Sequence, residues 1–510
     1  MNNLKQGFAS AFKGRNLFSA ALTAVVICTV VFVNIIIYTI TSAYSLYFPI
    51  KEEQYDLSIS SANDALFAKY IEQGSKVTVI FCSYEDVVQS NEKGEAVYRT
   101  AKYFEERYPG FVELKFINAI TQLDADGNAV DLSQFMQREG DYINEKSVIF
   151  STETNYRVVT DSYTTTGYAN FYTMDSQLTP TSYNGEEVFA SSIFWALQPE
   201  ENLSIAYFTV GHGETSSANL YNVLLSAGYT VKELNLRQND VPEDADLVVI
   251  SNPVVDFERG AEGSSLWTEY DRLVEYRDNG GKFIVIIDPM INKSFSVLSH
   301  FIGEYGLSFE RAESGEKALI KESSNAITAD GFTLVAEFAD SEIGVAMKEK
   351  ITSRAGTDNP RVILRGVGSI VIDPNYSGAE SLLVASSSSS LEAGGEKIDS
   401  EGSYTIAAYS YYSAGSAEDS AIIVMSDGML TATDAIVTER YSNKDFLYSL
   451  FDVFFEKGDM PYGCRSVIYY DSVLENLTVG TARIYTAILI AIPVMIGVLG
   501  GVVLVRRKNR

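Results

Sequence analysis

The two ends of the chain constrain it most. Leu17 to Ile40 is a run of 24 residues without a charged side chain, and Ile484 to Val505 is a second such run of 22. A bilayer-crossing helix needs ~20 consecutive apolar residues, so each run is long enough to span. A cleavable signal has a shorter apolar region of ~7–15 residues. The first run is therefore expected to remain as an anchor, although Thr41-Ser42-Ala43 offers the small residues of a cleavage site. Lys5, Lys13 and Arg15 precede the first run, and Arg506, Arg507, Lys508 and Arg510 follow the second. Basic residues beside spans stay cytoplasmic. The expected topology has a cytoplasmic N-terminus (1–16), a span (17–40), an extracytoplasmic part (41–482), a second span (484–505) and a cytoplasmic tail (506–510). Gly497 and Gly501 form a G-x-x-x-G pair. Such a pair lets helix backbones approach closely in lipid, while glycine is also common in spans generally.

None of the 67 acidic residues lies outside 41–482, but eight of the 39 basic ones do. The intervening chain thus carries 31 basic against 67 acidic residues, a net charge of −36. Such a surface is solvated and repelled by anionic headgroups, and it excludes phosphate-neutralising nucleic-acid binding. Three cysteines exclude a disulfide scaffold, and two histidines, His212 and His300, leave little for histidine-based metal chemistry. No metal site and no cofactor site is read.

Within the external part, residues 76–81, 112–117, 147–151 and 156–160 read as strands. Residues 92–107 read as a helix stopped by Pro109-Gly110. The order suggests an α/β domain over 41–200 that resembles thioredoxin-like folds. After its first strand stands Cys82-Ser83-Tyr84-Glu85, with one cysteine where a dithiol cycle needs two. Cys82 and Cys464 are two separate thiols or a pair; spacing does not decide between them.

Residues 201–465 carry the clearest pattern. Apolar strands at 203–210, 230–236, 247–250 and 283–287 alternate with helices at 216–227 and 266–277, joined by glycine-rich turns. This implies a doubly wound parallel sheet. Ala421 to Met425 fits as a late strand of that sheet, and the helix 445–455 follows Tyr441-Ser442-Asn443. Trp267 is read as a half-buried anchor within its helix. Ser386 to Ser390, five serines in a row, reads as a flexible, exposed loop. Residues 466–483 read as a juxtamembrane linker.

Ligands of such sheets sit at the carboxyl ends of strands. Gly211, His212, Gly213, Glu214, Asn252 and Asp288 all fall there and form the candidate ligand site. The glycines permit a tight turn or close backbone approach. His212 beside Glu214 is an acid/base pair, or else a strand-to-helix turn in which both satisfy local backbone groups. No P-loop, no G-x-S-x-G elbow and no serine or cysteine nucleophile accompanies them, so no catalytic residue is assigned.

The Gly211–Glu214 turn, Asp244-Ala245-Asp246-Leu247 to Ile250, Gly280-Gly281-Lys282 to Pro289, Tyr441 to Phe446 and the terminal run with its Arg-Arg end together resemble the GldG-type auxiliary proteins of ABC transporters. That resemblance implies a bacterial cell-membrane subunit working with an ABC-2-type permease and a separate cytoplasmic ATPase. It also implies a middle domain similar to flavodoxin-like and glutamine-amidotransferase-like sheets. In an amidotransferase a cysteine would stand at the turn after a sheet strand. Here Ser251-Asn252-Pro253 does, so that chemistry is not expected. The reading is a non-enzymatic auxiliary or substrate-binding-like subunit. A stand-alone envelope scaffold, or an envelope enzyme using the Gly211–Glu214 turn, are the alternatives.

Overall fold

The computed structural model describes residues 60–468, apart from 139–141, 161–166, 175–178, 200–202, 215–217, 262–264, 292–294, 312–315, 400, 416–418, 427, 429, 437–440, 455–459 and 465. It also describes six positions between 483 and 500. The first charge-free run lies outside the described residues, as does most of the second, including Gly497 and Gly501. Among the described residues no helix is long and apolar enough to cross a membrane.

The first layer is built on β1 (Val77–Phe81), whose near-continuous burial marks it as a central strand. Helix α1 (Ala62–Glu72) precedes it. Helices α2 (Glu85–Ser90) and α3 (Glu92–Arg107) follow, leading to β2 (Val112–Asn118), β3 (Leu123–Asp124), β4 (Val148–Ser151) and β5 (Tyr156–Val159). The order is β3-β2-β1-β4-β5, with β1 and β2 parallel and β4 antiparallel to β1. Helix α3 is amphipathic: Val97, Ala101 and Phe104 at helical spacing face the sheet.

Three elements of this half are not evident in the sequence. The hairpin β6 (Tyr172–Met174) and β7 (Pro180–Tyr183) leads into helix α4 (Gly185–Leu197). The helix buries Phe189, Ala190, Ser191, Ser192, Ile193, Phe194 and Trp195 in unbroken succession. A helix enclosed on nearly every side has no polar stripe to reveal its period.

The second sheet begins with β8 (Ser204–Thr209), α5 (Ala218–Ser226), β9 (Tyr229–Leu234), β10 (Leu247–Ser251), α6 (Glu269–Asp278), β11 (Lys282–Ile287) and α7 (Ser296–Gly303). Short strands follow: β12 (Leu307–Phe309), β13 (Leu319–Lys321) and β14 (Thr333–Phe338), then helix α8 (Glu342–Ala355). After it come β15 (Val362–Arg365), β16 (Ile370–Ile372), β17 (Ala379–Val384), β18 (Ser390–Ala393), β19 (Glu396–Lys397) and β20 (Thr405–Tyr412). The chain then returns to the parallel set as β21 (Ser420–Ser426), followed by α9 (Thr433–Ile436), α10 (Asn443–Phe454) and β22 (Val467–Ile468).

Five strands are parallel, in the order β9-β8-β10-β11-β21, and β20, β17, β14 and β15 extend them antiparallel. The fold is therefore mixed α/β with a parallel centre and an antiparallel extension, rather than the wholly parallel sheet the sequence suggests. Its parallel strands alternate between two cores. Ala206, Phe208, Leu247, Val249, Ile284 and Ile286 pack with α5, α8 and α10. Tyr207, Val248, Ile250, Phe283, Val285 and Ile287 pack with α6 and α7. Burial on both faces explains why these strands read as unbroken apolar runs. Residues 467–468, in the stretch read as a linker, pair as β22 with β7.

Two local readings are corrected. Helix α6 starts at Glu269, so Trp267 lies before it, exposed, with its indole N–H donated to Asp240 at 2.9 Å. The serine run is not a free loop, and only Ser387 within it is exposed. Ser386, Ser388 and Ser389 donate their hydroxyls to the Glu322 carboxylate at 2.7, 2.6 and 2.8 Å. The backbone N–H groups of Ser323 and Ser324 complete the shell at 2.8 and 2.9 Å. A carboxylate taken out of water needs such a set of donors, and hydroxyls supply them compactly.

Candidate functional site

In the parallel set, β8 is flanked by β9 and β10, so the strand order reverses beside β8. That is the topological switch point, where open α/β sheets leave a crevice at the carboxyl ends of their strands. The turns after β8 and β10 are Gly211–Glu214 and Asn252–Pro253.

Gly211 and Gly213 adopt φ of 111° and 71°, conformations that glycine reaches without strain. They turn His212 inward, and it is 0% exposed. Its carbonyl accepts the N–H groups of Val254 and Val255 at 2.8 and 2.9 Å, tying the two turns together. Its ring stacks on Phe257 at 4.1 Å. Nδ1 faces Glu214 Oε1 at 3.0 Å, and the His212 backbone N–H donates to Glu214 Oε2 at 2.7 Å. Nε2 faces both oxygens of Glu269 at 2.9 and 3.0 Å. Glu269, the first residue of α6, also accepts the Glu258 N–H at 2.7 Å and lies 3.4 Å from Arg237 Nε. A carboxylate at a helix N-terminus is favoured by the helix dipole.

This arrangement fixes the protonation. Burial disfavours a charged imidazole, but Glu214 and Glu269 outweigh it and raise the His212 pKa to about 9. Burial likewise opposes both carboxylates. Hydrogen bonds from His212 and from backbone N–H groups hold them below the ordinary range all the same. Each ring nitrogen carries a proton directed at a carboxylate, so the imidazolium has no lone pair with which to accept another. The trio is a buried ion cluster joining the β8 turn, the β10 turn and α6. Glu269, Phe257 and Arg237 are not identifiable from sequence, because they reach His212 only across the fold.

Asn252, just past β10, takes the left-handed conformation at φ 48° without being glycine. Its N–H donates to the Ile286 carbonyl at 2.8 Å, while its Oδ1 is shielded from solvent and unpaired. Asp288 sits at the end of the adjacent strand β11, half-buried, with Oδ1 accepting the Met290 N–H at 2.8 Å. Lys317, which no motif marks, lies over the turn that Asp288 begins. Its Nζ donates to the Ile291 carbonyl at 3.2 Å and stands 5.2 Å from the Phe295 ring centre. Burial, then Arg311, pulls its pKa down to about 8, with Asp288 opposing. The structure thus joins Gly211–Glu214 to the β10 turn and sets Asp288 at the next strand end.

An open groove of about 450 Å³ lies instead on the antiparallel extension, lined by Asp340, Ser341, Ile372, Glu380, Ser381 and Ser403. Among the described residues no three His, Cys, Asp or Glu side chains are grouped to hold a metal ion. Cys82 and Cys464 are free, buried thiols. Cys82 directly follows β1, where burial pushes its pKa up to about 12.

The residues Tyr441 to Phe446 hold the second sheet to the first half. Asn443 clamps β15, exchanging hydrogen bonds of 2.9 and 2.8 Å with the Ile363 backbone. Lys444 donates to Glu187 of α4 at 2.9 Å and to the Cys464 carbonyl at 3.3 Å.

No protein-family model matches the chain, and no curated protein matches it in sequence. Solved structures similar to half of it include the mmIFT52 N-terminal domain, with 14% identity, TM-score 0.36, and coverage of 50% of this chain and 99% of that one. A putative ThuA-like protein from Bacteroides uniformis has 11% identity, TM-score 0.32, and coverage of 51% and 95%. A glutamine amidotransferase from Thermotoga maritima has 10% identity, TM-score 0.26, and coverage of 49% and 98%.

Proposed function

We propose that this chain is a non-enzymatic, double-anchored subunit of a bacterial ABC transport complex, with an external α/β unit that binds a substrate, an envelope component or a partner protein. The observation that carries the non-enzymatic part is the state of His212. The one motif that suggested chemistry has both ring nitrogens directed at carboxylates, 2.9–3.0 Å away, in a fully buried cluster. That geometry favours holding two turns and a helix in register over moving protons. At the turn after β10 stands Asn252, which is no nucleophile.

The transport part rests on the two terminal charge-free runs with their basic flanks and on the resemblance to GldG-type proteins. The order β9-β8-β10-β11-β21 runs 2-1-3-4-5 in chain sequence, as in flavodoxin-like sheets. The first layer, with Cys82 alone at the end of β1, is consistent with a thioredoxin-like domain without dithiol chemistry.

The test is purification of the tagged full-length chain in mild detergent, with mass spectrometry of what accompanies it. A permease and an ATPase should co-purify, and should be lost when residues 484–510 are replaced by an unrelated anchor. The chain recovered alone, from cells expressing such a permease, would sink the transport reading and leave the scaffold.

A further inference from the structure

Among the described residues no carboxylate neutralises the positive charge of Arg157. It lies on the edge strand β5, paired in register with Phe150 of β4, so both side chains rise on the same face of the sheet. Phe150 meets Phe189 of α4 edge-on at 5.1 Å, which identifies that face as the one covered by α4. Arg157 Nη1 is shielded from solvent and has no hydrogen-bond partner. On α4, which packs against β5, Ser192 is fully buried, and its Oγ is equally unpartnered.

Among the described residues the groups that act on the Arg157 charge are phenols, those of Tyr448 on α10 and Tyr221 on α5. Burial drags the guanidinium pKa down to about 10, and the two phenols only partly oppose this. At neutral pH it remains charged. Beyond Tyr448 the carboxylate of Glu187 is fully engaged, by Tyr448 Oη at 3.0 Å and by Lys444 Nζ at 2.9 Å. Among the described residues no carboxylate pairs with this half-buried guanidinium, whose Nη1 is cut off from water, whereas buried polar groups are otherwise paired. Two unpaired groups thus stand on two packed elements, one of them a half-buried guanidinium within electrostatic reach of Tyr221, which is 42% exposed.

We propose that Arg157, with Ser192 and Tyr221, binds a small oxyanion, a carboxylate or a phosphate, where β5, α4 and α5 meet. The guanidinium offers the planar pair of N–H donors that such oxygens accept bidentately. The serine and phenol hydroxyls add single donors. The site is separate from the strand ends around His212 and does not depend on the transport reading.

The test is thermal unfolding of the full-length protein in detergent, with sodium phosphate or sodium acetate titrated against sodium chloride at equal ionic strength. Wild type should gain a saturable rise in Tm with at least one of the two anions, and the pair of titrations separates phosphate from carboxylate selectivity. Arg157→Leu should lose that rise and, without anion, be at least as stable as wild type, because it removes the shielded, unpaired Nη1 donors. Ser192→Ala should keep the rise but need more anion. Arg157→Lys keeps the charge without the planar fork and should need more anion for the same rise. An equal anion response in Arg157→Leu and wild type would overturn the proposal. So would a wild type whose titration calorimetry with phosphate and with acetate shows no saturable heat, a result that needs no variant to fold.

Discussion

His212 Nε2 lies 2.9 Å from Glu269 Oε1, across 57 residues of chain, and this contact turns a glycine-rich turn into the keystone of the parallel sheet. Removing His212 leaves two carboxylates buried and facing each other. Breaking a buried ion cluster in this way costs about 3–5 kcal/mol. His212→Ala should therefore unfold at much lower denaturant than wild type. His212→Gln, which keeps one donor, should fall between them, as measured by equilibrium unfolding.

The same cluster sets a pH window. His212 has a folded pKa of about 9 against an ordinary 6.5, so its stabilisation is complete below about 6.5 and is lost as pH rises through 9. Glu214 and Glu269 are shifted downward, so their contribution is present above the ordinary 4.5 and is lost on acidification. Stability from this site should thus be flat between about pH 4.5 and 6.5 and decline on either side. His212→Gln should flatten the alkaline limb when unfolding is compared at pH 6 and pH 9.5. An unchanged alkaline limb in that variant would show that the imidazolium is not its source.

What was legible in the sequence was whatever repeats along the chain. Leu247 to Ile250 and Phe283 to Ile287 announce strands buried on both faces, and Val97, Ala101 and Phe104 announce one face of a helix. What was illegible depends on contacts between distant residues. Nothing near His212 points to Glu269, and nothing near Ser386–Ser390 points to Glu322, so an ordered carboxylate shell read as a loose polar loop. Helix α4 escaped for a different reason: its apolar residues surround it, so no 3.6-residue stripe stood out. The antiparallel extension escaped because strands of four to eight residues separated by Gly/Ser turns carry too few alternations.

Glu322 gives an acid-side prediction. Burial would raise its pKa, but the three hydroxyls and two backbone N–H groups hold it at about 2 against an ordinary 4.5. A lowered folded pKa contributes stability that is complete above about 4.5 and disappears as pH falls toward 2. A difference of that size corresponds to on the order of 3 kcal/mol. Glu322→Gln should lose stability at pH 7 and show a shallower acid limb than wild type. Ser389→Ala, leaving one oxygen with a donor fewer, should lose about 1–2 kcal/mol. Both are read by denaturant unfolding between pH 3 and 7.

Lys444 is buried against Glu187 on the other half of the fold, and its pKa is raised because the Glu187 and Cys464 neighbourhood outweighs burial. Lys444→Met should strand the Glu187 carboxylate and cost about 3–5 kcal/mol. Lys444→Met combined with Glu187→Leu should recover much of that loss, since apolar replacement of both partners of a buried pair is often neutral. A double variant as unstable as the single one would mean that Glu187 is needed for Tyr448 rather than for Lys444.

Asn252 separates backbone strain from side-chain need at the switch point. At φ 48° a residue with a Cβ is strained, by about 1 kcal/mol for most side chains and less for asparagine. Its unpaired, buried Oδ1 adds a desolvation cost that no contact among the described residues offsets. Asn252→Gly relieves both and should leave stability equal or higher, whereas Asn252→Ala keeps the strain and should be less stable than Asn252→Gly by about 1 kcal/mol. Equilibrium unfolding of the two variants beside wild type decides it. If Asn252→Gly proves markedly destabilised, the amide is making an interaction in solution that holds the β10 turn. If it is as stable as predicted, asparagine stands there at a cost to the fold, which is the mark of a residue kept for what it meets from outside.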